Sequence, residues 1–147
     1  MHVSAKADYA IRAMVELAAA GEGPLKAERI SQAQSIPIKF LENIMIDLRR
    51  AGLVRSQRGT EGGYWLARGA DTISLADVIR AVEGPLADVR GRAAEELPEG
   101  PLRDVWVAVR ASLRAVLETV TIADVASGSL PPVVAELTAA GGAWVRR

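Results

Sequence analysis

The stretch FLENIMIDLRRAGLVRSQRGTEGGYWLAR, residues 40–68, decides the fold. Phe40, Leu41, Ile44, Met45 and Leu48 recur at helical spacing, and Lys39, Glu42, Asn43, Ile46, Asp47 and Arg50 fall on or near the opposite face. Gly52 stops that helix. Leu53–Gln57 and Tyr64–Ala67 then read as short strands, joined by Arg58-Gly-Thr-Glu-Gly-Gly, a turn long for a minimal hairpin. Glycines supply positive φ angles and also let a backbone approach another surface. The turn therefore either closes a tight hairpin or is shaped to meet negative charge. A nucleotide-phosphate loop is excluded, because it needs a Lys-Ser/Thr pair and a following helix, whereas a strand begins at Tyr64.

Upstream, Ser4 is placed to cap a helix running to Ala20, with Gly21 as its stop and Ala7, Ala10, Ile11, Met14, Leu17 and Ala18 on one face. Gly23-Pro24 marks a turn. A second helix, Lys26 to Gln34, presents Leu25, Ile30 and Ala33, and Pro37 opens the third, which runs to Ala51. Two helices joined by a short turn match a helix-turn-helix. Three helices followed by a β-hairpin is the winged-helix order, so the expected class is mainly α with a small β-hairpin. Such a unit lays its recognition helix in the major groove of double-stranded DNA, while the wing follows the backbone or enters the minor groove. An arginine at the mouth of a glycine-rich wing suits that task, because the narrow groove concentrates negative potential. Phosphate contacts are expected from Arg49, Arg50, Arg55 and Arg58.

The totals fit this reading without proving it. Eighteen basic and eighteen acidic residues cancel. Their distribution does not: residues 1–70 carry ten Lys/Arg against seven Asp/Glu, residues 71–147 eight against eleven, and five arginines accompany one acid between Arg49 and Arg68. With no cysteine, disulfides and thiolate metal sites are excluded, and one histidine, His2, cannot build a multi-histidine site. No stretch approaches the roughly eighteen apolar residues a membrane span needs. The start MHVSAKADY lacks a signal peptide's apolar core, so a cytoplasmic location is expected. No nucleophile–base pair, metal set or cofactor loop points to an enzyme, and no cofactor is expected.

Beyond the wing, Ser74 caps a helix, SLADVIRAVEG, that ends at Gly84-Pro85. Residues 86–100 are polar and poorly patterned. From Pro101 the pattern becomes regular: Leu102, Trp106, Val109, Leu113, Val116 and Val120 are spaced 4, 3, 4, 3 and 4, a seam of period 3.5. A helix of about twenty residues with that seam is most simply paired with its symmetry mate, each buried side chain contributing roughly 1.5–3 kcal/mol. Thr121–Ala126 adds a short helical turn. The expected organisation is a DNA-binding unit at 1–84, a connecting loop at 85–100, a dimerisation helix region at 101–127 and a loosely held tail at 128–147. A homodimer presents two recognition helices to a pseudo-palindromic operator. A pocket for a small molecule, walled by Trp106, is a further expectation from the loop's position.

These pieces together resemble a known family. SAKADYAIRAMVELA, the 40–68 stretch, ISLADVIRAVEGPL and VLETVTIADV are similar to the bacterial Rrf-two family of winged-helix regulators, over about residues 3–126. The resemblance implies homodimers that bind operator DNA, usually as repressors. The family reads bases through outward residues of a YLEQ-like motif, here FLEN, which implies Glu42 and Asn43, with Lys39 nearby. The chemistry agrees, since Glu accepts from a cytosine amino group and Asn pairs with adenine. The family's wing arginine corresponds to Arg58, flanked by Gly59, Gly62 and Gly63, with Tyr64 closing the motif. Cluster-binding members carry cysteines between the VEGPL helix and the long helix, and residues 86–104 contain none. Asp8 stands where one branch uses a carboxylate cluster ligand, but without thiolates it reads as a first-turn helix stabiliser. The resemblance thus implies a cluster-free member, of the kind governed by a metabolite or regulatory protein partner. The competing reading is a winged-helix protein-interaction module with no sequence-specific DNA binding.

Overall fold

The computed structural model describes residues 2–146. Helix α1 spans Ala5–Ala20: the Ser4 hydroxyl accepts from the Ala7 amide at 3.0 Å, and Gly21 terminates it at a φ of 71°. Helix α2 is Ala27–Gln34 and α3 is Ile38–Arg50, each beginning one residue later than the sequence suggested. Ser35, between them, takes the left-handed conformation at a φ of 53°, which turns the chain sharply enough to bury Ile36. Ala33 departs from expectation and is exposed. The inward face of so short a helix is set by Ala27, Ile30, Ser31 and Gln34, and Ala33 points well off that line.

Strands β1 (Val54–Gln57) and β2 (Gly63–Leu66) pair antiparallel, with Val54 opposite Leu66 and Gln57 opposite Gly63. The sequence gives no local sign of their third partner. Leu25 bridges to Tyr64 by two 2.8 Å backbone hydrogen bonds, so the segment before α2 clamps the wing's returning strand. A two-stranded hairpin alone is marginal in water, and this bridge anchors its base.

Helix α4 (Leu75–Glu83) starts in a capping box: the Ser74 hydroxyl accepts from the Asp77 amide, and the Asp77 carboxylate accepts from the Ser74 amide. Helices α1 to α4 and the hairpin share one core, in which Met14, Ile30, Leu41, Ile44, Met45, Leu48 and Val78 are fully buried. After a polar loop with a short 3₁₀ turn at Ala94–Glu96 comes α5 (Pro101–Leu117), none of whose residues is buried. The chain then returns. Val120 and Ile122 are buried, the Val120 carbonyl accepts from the Leu75 amide, and α6 (Ile122–Ser127) packs against α1. Within residues 128–146, expected as a loosely held tail, the chain forms one more element. Pro131-Pro132 opens a further helix, α7 (Pro132–Thr138), and the Trp144 indole N–H donates to the Thr138 carbonyl at 2.9 Å. Proline at a first helical position has its φ preset and loses no hydrogen bond there, which explains the start.

Candidate nucleic-acid interface

Burial of Leu41, Ile44, Met45 and Leu48 fixes the rotation of α3 about its axis. Lys39, Asn43, Ile46 and Arg50 are consequently exposed on one outward stripe. Glu42, one of the expected base readers, is half-buried at its edge, with its carboxylate 3.8 Å from the Lys39 ammonium. Reading a cytosine through Glu42 means loosening that pair, a small cost for an exposed contact. Asp47 faces back toward α1 and accepts from the Lys6 ammonium at 2.7 Å. This partly buried ion pair ties α3 to α1 beside the shared apolar core. Sequence reasoning missed it, because two residues 41 positions apart leave no local pattern.

The arginines divide by task. Arg49 donates to the Ser56 hydroxyl at 3.2 Å, bracing the end of α3 on β1. Arg68 is engaged by Asp77 at 3.3 Å. Arg50, Arg55 and Arg58 are exposed and make no ion pair among the described residues. With Lys39 they form a cationic band running from α3 onto the wing, and Glu61 is the acid on the wing's turn.

The wing glycines answer two different demands. Gly59 has a φ of 102° with open space around it, so the turn needs its backbone and nothing crowds its side. A Cβ on Gly62 would lie 2.1 Å from the Gln57 carbonyl oxygen, and one on Gly63 would lie 2.7 Å from the Leu25 carbonyl oxygen. Those two are glycine because the hairpin closes on itself and on the Leu25 segment. Tyr64 likewise packs against the core while its backbone holds Leu25. The wing's turn is thus shaped by its own packing and by the Leu25 segment, and it presents Arg55 and Arg58 outward.

The second half of the chain is laced by ion pairs. Glu118 takes both Arg80 of α4 and, at 3.0 Å, Arg114 of α5, while Glu95 of the loop takes Arg110. The hydrogen bonds from Arg80 and then Arg114 hold the Glu118 carboxyl below its ordinary 4.5, and a backbone amide followed by Arg110 does the same for Glu95. A depressed carboxyl contributes stability above its ordinary range and loses it as pH falls through the folded value. Both groups are solvent-exposed, so the effect is small. Glu118→Gln is expected to lower the thermal midpoint by no more than a few degrees at neutral pH, with the difference from wild type shrinking as pH falls below the ordinary carboxyl range and through the lowered folded value. A difference that persists undiminished in acid would mean that Glu118 acts by packing.

Along α5, Leu102 is 64 % exposed, Val105 52 % and Trp106 37 %, while Val109, Leu113 and Val116 are half-buried. The predicted seam loses one member: α5 ends at Leu117, and Val120 lies beyond it, buried in its own chain. Beside the seam, Val89, Leu97, Pro98, Pro101, Leu102 and Trp106 line an apolar cleft of about 610 Å³, where the sequence suggested a pocket.

A family model described as iron-dependent transcriptional regulators matches residues 3–128. The chain belongs to the Rrf2 family. Among its relatives is a candidate HTH-type transcriptional regulator of Mycobacterium tuberculosis, 54 % identical over 142 residues, 93 % of this chain and 88 % of that protein. The HTH-type transcriptional regulator CymR of Bacillus subtilis is 38 % identical over 128 residues, covering 86 % of this chain and 91 % of CymR. Its solved structure, that of the global cysteine regulator of B. subtilis, superposes with a TM-score of 0.75 at 36 % identity, over 88 % of this chain and 98 % of that one. The structure of T. potens IscR gives 0.73 at 36 % identity, over 88 % of each chain. The winged-helix architecture and the role of a DNA-binding transcriptional regulator follow from this membership.

The iron named in the family description needs ligands, and this chain's donors do not fit a thiolate-held group. There is no cysteine. Among the described residues no three His, Cys, Asp or Glu side chains are gathered around one point. Asp8 is engaged by Arg12 at 2.8 Å, and Glu95 in the loop by Arg110. Nor, among those residues, is any helix long and apolar enough to cross a membrane.

Proposed function

We propose that this chain is a homodimeric repressor that binds a pseudo-palindromic operator through α3 and the wing, without an iron–sulfur cluster. The observation that carries the reading is the cationic band of Lys39, Arg50, Arg55 and Arg58, displayed on a helix and hairpin locked by the Leu25 bridge. Asn43 and Glu42 read base edges and the arginines neutralise phosphates. Two copies joined along α5 set their recognition helices about one helical turn of DNA apart, roughly 34–36 Å. The exposed stripe on a helix with no buried residue supports that pairing. A compact dimer on a promoter blocks access to it, which makes repression the mode assigned. The protein acts in the cytoplasm, where such operators lie, and a metabolite or regulatory protein is the class of partner its family resemblance suggests.

Selection from random duplexes tests the reading directly. A palindromic consensus is expected, with binding that weakens steeply as salt rises. Arg58→Ala should cost about 1–3 kcal/mol of binding free energy at fixed salt. If no consensus emerges, or Arg58→Ala binds like wild type, this surface does not read DNA and a protein-interaction module becomes the better account.

A further inference from the structure

Helix α3 carries one outward residue that neither phosphate binding nor polar base readout explains. Ile46 is 36 % exposed, and among the described residues between Val3 and Leu102 it is the only large hydrophobic so exposed. At about 100° per residue, Lys39, Asn43, Ile46 and Arg50 fall within about 60° of one another around the helix. Ile46 therefore shares the outward face with them, at one edge of that arc. The inward side is already filled by Leu41, Ile44, Met45 and Leu48, so folding makes no demand for an isoleucine here.

The base edges of the major groove present one apolar feature, the 5-methyl group of thymine. A branched aliphatic side chain on the outward face of a recognition helix is chemically matched to it. Resting on the operator-binding reading above, we infer that Ile46 is a specificity-determining residue that contacts a thymine methyl. Asn43 precedes Ile46 by about 4.5 Å along the helix axis, close to the roughly 3.4 Å rise of a base pair. The thymine read by Ile46 is expected in the same half-site as the adenine read by Asn43.

The test replaces the thymines of the selected operator, one symmetric pair at a time, by deoxyuridine, which keeps every hydrogen-bonding group and lacks only the methyl. Burying one methyl-sized group corresponds to about fourfold in affinity per half-site, or roughly fifteenfold for a symmetric pair. Wild-type protein is expected to show that loss at one symmetric position. Ile46→Ala is expected to bind the thymine and deoxyuridine duplexes equally. Ile46→Val, which keeps a branched apolar tip, should retain part of the discrimination and serves as the control for folding.

Tight, sequence-specific binding by wild type that is indifferent to every deoxyuridine overturns the role of Ile46 and leaves operator binding intact. A deoxyuridine penalty of the same size in Ile46→Ala overturns it too, since another group then reads the methyl. Absence of any sequence-specific binding removes both claims together.

Discussion

Leu113→Asp is expected to turn the protein into a monomer and to weaken operator binding by more than about a hundredfold, the largest effect of any single surface substitution. Leu113 lies mid-way along α5, a helix of 17 residues none of which is buried within its own chain. Placing it in a symmetric interface puts two carboxylates near a twofold axis, where each must be desolvated and each repels the other. The lost leucine burial, roughly 1.5–3 kcal/mol per copy, adds to this. Because α5 contributes nothing fully buried to the winged-helix core, the variant should still unfold cooperatively, but at a lower midpoint that no longer rises with protein concentration. Sedimentation velocity would read the oligomeric state, and titration against one- and two-half-site duplexes the binding. The decisive comparison is between those duplexes. A monomer should bind both with the same weak affinity, whereas the wild-type dimer should prefer the full site strongly. A Leu113→Asp protein that stays dimeric, or that binds the full site as tightly as wild type, would remove α5 from the assembly.

The consequences reach the neighbouring cleft. Leu102 and Trp106 line both the seam and the 610 Å³ cleft beside Val89 and Leu97. Pairing along α5 would therefore enclose a space that is an open groove in one copy. A molecule held there would touch the loop, whose Glu95 is tied to Arg110, and the helix, which Glu118 ties to α4 through Arg80. From α4 the Ser4 hydroxyl, bonded to Glu83, leads to the start of α1, and Lys6, two residues on, holds Asp47 of α3. These separate contacts tie the loop to α5, α5 to α4, α4 to the start of α1, and α1 to α3.

Much of this was written plainly in the chain, for local reasons. Ser4, Gly21, Ser74 and Gly84 mark helix ends through short-range capping chemistry, and the observed boundaries fall within a residue or so of those expected. The apolar face of α3 was equally legible, because packing and helical period coincide there. What stayed hidden is non-local. The Leu25 bridge to Tyr64 and the Lys6–Asp47 pair join segments whose closeness only the tertiary fold creates. Val120 failed for a related reason: the 3.5-residue period continued past the point where the helix ends and the chain turns back into the core. Among the candidate interface residues, Arg49, Arg50, Arg55 and Arg58 are all exposed, Arg49 also donating to Ser56, while Tyr64 is partly buried against the core.

Gly62→Ala separates the two meanings that a glycine-rich wing can carry. If Gly62 were small so that DNA could approach, alanine would leave the free protein untouched and weaken only the complex. The geometry predicts the reverse order of events. The added Cβ falls 2.1 Å from the Gln57 carbonyl oxygen and 2.8 Å from the Arg58 carbonyl carbon, both backbone atoms that no rotamer change can clear. The hairpin must open, and with it the pairing of Gln57 with Gly63 and the two hydrogen bonds to Leu25. A cost of about 2–4 kcal/mol in the DNA-free protein is expected, the range of a strained turn plus disrupted buried packing. Chemical denaturation without DNA measures it. Amide exchange should accelerate at Leu25 and Tyr64, while the α1 and α3 core remains protected. Binding should also fall, because Arg55 and Arg58 lose their fixed mount, but only as a second consequence. Gly59→Ala supplies the contrast: its φ of 102° strains any side chain, yet nothing lies within 4 Å. Its penalty should stay near the 1 kcal/mol typical of a left-handed residue, with the Leu25 bridge intact. Unchanged stability in Gly62→Ala, together with weakened DNA binding, would reverse this assignment and return the glycine to the nucleic-acid surface.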